Sequence, residues 1–67
     1  MTWEMIINRI QIDLNVKKQR AKKFTNDFRK VYKGYKDAIQ EVTASFTNDG
    51  RVQITCKING NPKKYII

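Results

Sequence analysis

Lys17, Lys18, Arg20, Lys22, Lys23, Arg29, Lys30, Lys33 and Lys36 crowd into a 20-residue stretch whose one carboxylate is Asp27. The stretch carries a net charge of +8, which equals that of the whole 67-residue chain. The chemistry open to such a set is electrostatic. Lysine and arginine pair with phosphate oxygens, release counterions and steer polyanions toward the surface. Few acids are interleaved to form helical i,i+4 pairs, so the charge is not neutralised within the segment. Contacts of this kind grip a phosphate backbone without reading its sequence.

Other chemistry finds little support. The chain has no histidine, the commonest general base and metal ligand. The carboxylates Asp13, Asp37 and Glu41 make no recognisable metal or acid–base set, although Asp37 and Glu41 stand four apart on one face of an expected helix. No nucleophile–base pair and no phosphate loop is present, so an enzyme is not expected, and neither cofactor nor metal is implied. The single Cys56 cannot form an internal disulfide; with no signal peptide, a reducing cytoplasmic setting is expected. The longest apolar run, Met5–Ile7, is three residues, against the roughly 20 that a membrane span needs.

The positioning elements are clearest at the C-terminal end, where residues 42–47, 51–58 and 63–67 read as a three-stranded antiparallel meander. A three-residue loop at Asn48-Asp49-Gly50 pairs Phe46 with Val52, Ala44 with Ile54 and Val42 with Cys56, which gathers the apolar side chains on one face. A one-residue slip would invert them. Asn59-Gly60 is a two-residue hairpin signal that pairs Ile58 with Asn61, Ile54 with Tyr65 and Val52 with Ile67. Pro62 then stands opposite Lys57 on an edge strand, where its missing N–H costs no ladder bond. The inner face is Val42, Ala44, Phe46, Val52, Ile54, Cys56, Ile58, Tyr65 and Ile67, with Cys56 as a buried small hydrophobe. The outer face is Thr-rich and presents Arg51, Gln53, Thr55 and Lys57 on the central strand.

The rest reads as helix. Thr25-Asn26-Asp27 has the form of a helix start, and Phe28, Val31, Tyr32, Tyr35, Ile39 and Val42 recur at three and four, which predicts a helix over 26–42. Thr2 followed by Glu4 opens an earlier helical segment over 3–23. There Trp3, Ile7, Ile10, Leu14, Ala21 and Phe24 keep helical spacing, broken by Lys17. Ile10 to Val16 also alternates strictly. The alternative is therefore a β-α-β-β-β chain with residues 6–16 as a strand. The spacing of Phe24, Phe28, Tyr32 and Tyr35 assigns them to the core, with Tyr32 the most exposed. Trp3 serves either as a partner anchor or as a staple between the first helix and the core.

One small α+β domain is the expectation: helical segments on one face of the meander. The favoured function is a small nucleic-acid-binding protein, an accessory or regulatory factor for DNA or RNA. Its basic helical face would hold phosphates, and Arg51, Gln53, Thr55 and Lys57 would touch bases or sugars. The alternative is a protein-interaction module or inhibitor docking on an acidic protein surface. The edge strands would be available for a partner sheet or for a homodimer.

Overall fold

In the computed structural model, which describes residues 1–67, Thr2 accepts a hydrogen bond from the Met5 amide at 3.1 Å and opens helix α1, Trp3–Leu14. Glu4 in the first turn complements the helix dipole. Ile6, Ile10 and Leu14 are the buried stripe of α1, so the strand alternative for residues 6–16 is overturned. The alternating residues that had suggested a strand have other fates. Ile12 lies on the open side of α1 and is 73% exposed, while Val16 packs against the core just past the helix end.

The division between the two helices falls at residues 15–17, not at the Thr25 start expected from sequence. Asn15 takes a left-handed conformation (φ 54°, ψ 50°). Its N–H reaches the Ile12 carbonyl and that of Val16 reaches Gln11 at 3.3 Å, the pairing of a Schellman motif with an apolar residue just outside the helix. Helix α2 then runs Lys18–Tyr32 straight through Thr25-Asn26-Asp27. Thr25 is buried, and its hydroxyl donates to the Ala21 carbonyl at 2.7 Å. A residue that could have capped a helix instead bonds back to its own preceding turn.

The helix expected over 26–42 is also too long. α2 stops at Tyr32, a 3₁₀ turn covers Lys33–Ala38, and strand β1 runs Ile39–Phe46. Ile39 and Val42, three apart, look helical in sequence, yet both are buried on the same face of β1. A bulge makes this possible: Thr43 pairs with Thr55 and Gln40 with Lys57, so Glu41 and Val42 together oppose Cys56. Glu41 adopts φ 54° there. The expected one-to-one pairing of Val42 with Cys56 is corrected accordingly.

The remainder of the meander has the anticipated register. Strands β2 (Val52–Ile58) and β3 (Asn61–Ile66) complete an antiparallel sheet in the order β1-β2-β3. Phe46 pairs with Val52, Ala44 with Ile54, Ile54 with Tyr65, Lys57 with Pro62 and Ile58 with Asn61. Asn59 (φ 52°) and Gly60 (φ 82°) are both left-handed, as a type I′ turn requires. A Cβ at Gly60 would meet no atom within 4 Å, so a Gly60→Ala change is charged only for its backbone conformation. The expected loss is about 1–2 kcal/mol, read as a lower urea midpoint with an unchanged slope.

The sheet's inner face and the helices enclose one apolar cluster. Ile6, Ile10 and Leu14 meet Ala21 and Phe28 on one side and Ile39, Val42, Val52, Ile54, Cys56 and Ile58 on the other. Phe46, assigned to the inner face, is 49% exposed and does not pack against this cluster. Phe28 is the hub of the aromatics, with its ring centroid 4.8 Å from Tyr32, 6.1 Å from Tyr65 and 6.4 Å from Trp3.

α1 is also tied to the sheet edge. The Asp13 carboxylate accepts the Ala44 N–H at 3.0 Å and lies 3.8 Å from the Arg9 guanidinium. Ala44 sits at a non-hydrogen-bonded site of the β1–β2 ladder, so its N–H faces the free edge of the sheet. Asp13→Ala removes that bond and is expected to cost about 1–2 kcal/mol, seen in chemical denaturation.

Candidate nucleic-acid interface

The basic residues do not line two helices, as the sequence had implied. Lys17 is in the link between helices, Lys36 is in the 3₁₀ turn, and the other seven belong to α2 or, for Lys33, to its end. At 100° per residue, Lys18, Lys22, Arg29 and Lys33 fall within about 60° of one line along α2, with Lys23 and Lys30 on the flank beside it. The buried stripe of Ala21, Thr25 and Phe28 lies about 80° to one side of that line, and it is Lys23 and Lys30 that stand opposite the core. Arg20 leaves the row, and its guanidinium lies 5.5 Å from the centre of the Phe24 ring on the other flank.

Few of these charges are neutralised. Lys18 pairs with Glu4 at 3.0 Å, and Lys30 stands 4.0 Å from Asp27 while 80% exposed. Lys22, Lys23, Lys33 and Lys36 have no carboxylate partner within 4.0 Å. Arg29 is held differently, 5.3 Å from the centre of the Trp3 ring.

Three shallow depressions follow the row and share walls. Lys23, Asn26 and Lys30 line the first, of about 410 Å³. Asn26, Arg29, Lys30 and Lys33 line the second, of about 420 Å³. The third, of about 570 Å³, begins at Arg29 and Lys33 and continues past Trp3, Tyr35, Lys36 and Asn59. Together they form a trough along α2 that ends in an aromatic cleft. Tyr35 is the exposed aromatic of this cleft, at 52%, and Tyr32, for which exposure had been expected, is half-buried against Phe28 and Tyr65. Trp3 packs against Phe28, as the staple reading expected, and its ring also borders the cleft.

The strand residues Arg51, Gln53, Thr55 and Lys57 face away from the helices, on the outer side of the sheet. They share no flat surface with α2, but part of the set is joined to it around the end of the molecule. Tyr35 and Asn59 also border a smaller hollow with Asn61 and Lys63. Lys63 in turn borders an open outer-face depression of about 550 Å³ with Thr43, Thr55, Lys57 and Lys64. Thr55 and Thr43 share a hydroxyl hydrogen bond, and Lys57 pairs with Glu41 at 3.1 Å. Arg51 and Gln53 lie toward the opposite end of β2; the Arg51 Nε donates to the Ile67 carbonyl at 3.4 Å. Lys63, Lys64 and Asn59 were absent from the sequence-based set. The Asn59-Gly60 turn signal had already placed Asn59 at a hairpin tip, where it meets the end of α2.

Burial pushes the Cys56 thiol up, against a smaller opposing pull from the Lys63 charge, and the side chain is 3% exposed. The Thr47 hydroxyl holds the Asp49 carboxyl below its usual range within the β1–β2 loop. Asp37 and Glu41, expected on one helical face, fall in the 3₁₀ turn and the bulge of β1.

No helix is long and apolar enough to cross a membrane. No family model, no curated protein and no solved structure matches the chain.

Proposed function

We propose that this protein is a non-catalytic nucleic-acid binder that grips the phosphate backbone along α2. The observation that carries this reading is the single-sided row Lys22, Lys23, Arg29, Lys30 and Lys33; all but Lys22 line three adjoining depressions, where the only acids are Asp27 and Asp37. Such a row matches a linear polyanion better than a compact anion. At 1.5 Å per residue, the 15-residue α2 is about 22 Å long, which spans several successive phosphates. Thr55, Lys57, Lys63 and Lys64 offer a second contact area where a bound strand would pass around the Asn59-Gly60 tip. Titration with labelled duplex DNA, single-stranded DNA and RNA tests the reading, and the tightest ligand identifies the class bound. Absence of binding to all three at about 50 mM salt removes it.

A second reading, docking on an acidic protein surface, is favoured by apolar side chains left uncovered: Met5 (53%), Ile12 (73%) and Phe46 (49%). Edge pairing, into a partner sheet or a homodimer, is the weaker form of it. Asp13 already occupies the outward Ala44 N–H, and β3 carries Pro62, Lys63 and Lys64, residues that protect sheet edges.

A further inference from the structure

We propose that the cleft bordered by Trp3, Tyr35 and Asn59 takes an unpaired base, which makes single-stranded nucleic acid the preferred ligand. This rests on the phosphate-binding reading above and adds what that reading lacks, a reason to discriminate between strands. A cationic row by itself serves duplex and single strand alike. An aromatic cleft at the end of the row does not, because bases in a duplex are stacked inside it and present no free face.

Three features of the cleft fit a base. The first is preorganisation. Trp3 is pinned by an edge-on contact with Phe28 (interplanar angle 75°) and by Arg29 over its ring, so little freedom is lost on binding. The second is available aromatic surface. Tyr35 is half exposed and makes no aromatic pair within the protein, unlike Phe28, Tyr32 and Tyr65. Base–aromatic stacking of this kind tolerates any base. The third is the setting. Arg29, Lys33 and Lys36 outnumber the one carboxylate, Asp37, around the same hollow, so the phosphates flanking a stacked base meet a net positive charge where the strand arrives along α2. Its volume of about 570 Å³ leaves room for one base and its sugar. The Asn59 side-chain amide supplies both a donor and an acceptor for a base edge.

The test compares three ligands of similar charge on the intact protein: an oligothymidylate of about 12 nucleotides, an abasic strand of equal length, and a short duplex. Affinity is read by anisotropy. Trp3, the only tryptophan, provides a second signal through its fluorescence. The proposal predicts that oligothymidylate binds about tenfold tighter than the abasic strand and quenches Trp3. Tyr35→Ala should shrink that preference while leaving abasic binding unchanged. This variant is chosen over Trp3 because Tyr35 carries no core contact that the fold depends on. Equal affinity for the base-bearing and abasic strands overturns the base site and leaves the phosphate reading standing. A preference that survives intact in Tyr35→Ala also overturns it. Failure of both strands to bind overturns the phosphate reading itself.

Discussion

Replacing Lys22, Lys23, Lys30 and Lys33 together by glutamine is expected to lower affinity for a single strand by about 10²–10³-fold at roughly 0.1 M salt. Each phosphate contact contributes a factor of about [salt]^−0.7 for single strands, which is about fivefold at that salt, and four such factors multiply to several hundred. The four side chains are exposed and none takes part in the core, so circular dichroism should be unchanged. Arg29 is left in place because it holds Trp3. Removal of like charges along one helix face should, if anything, strengthen α2. A fourfold variant that keeps its affinity within about threefold would show that the row along α2 is an ordinary solvated surface.

Phe28→Ala is expected to leave folded and unfolded forms at comparable populations at 25 °C. The side chain is fully buried, and its ring meets Trp3, Tyr32 and Tyr65, so it joins α1, α2 and β3 at one point. Truncations of this type cost about 3–5 kcal/mol. A domain of this length draws only about 3–5 kcal/mol of stability from its core, so the two figures nearly cancel. The expected far-UV spectrum has lost about half of its folded signal, with the urea midpoint displaced to near zero denaturant. A cooperative transition within about 1 kcal/mol of the parent protein would mean that the aromatic cluster is not what joins the helices to the sheet.

The meander was readable from sequence because its signals are local and agree with one another. Asn59-Gly60 and Gly50 mark the turns, and alternation of side chains leaves only one register in which Ala44 and Tyr65 face the same side as Ile54. The helices were less readable, and for physical reasons. Thr25 has the chemistry of a cap, but at a buried site its hydroxyl found the Ala21 carbonyl instead. Asn15 ended α1 through a left-handed conformation that glycine usually supplies. The bulge at Glu41 gave β1 two inward residues three apart, the spacing of a helix. At the candidate site, the charge of α2 was plain in the composition. Its placement on one helix, with Arg20 excluded and Tyr35 and Asn59 added, depended on how the 3₁₀ turn brings the end of α2 to the β2–β3 tip. That is a tertiary fact, and no short-range pattern encodes it. The exposed Ile12 has a similar lesson: a side chain that the helical spacing could not place was left outside in the fold.

The central claim, that α2 grips a phosphate backbone, is met most directly by the salt dependence of binding to a single-stranded oligonucleotide. With four to five phosphates engaged, log affinity should fall against log salt with a slope of about −3. In the fourfold glutamine variant the line should be nearly flat. A slope near zero for the parent protein, or no binding at about 50 mM salt, would contradict the account.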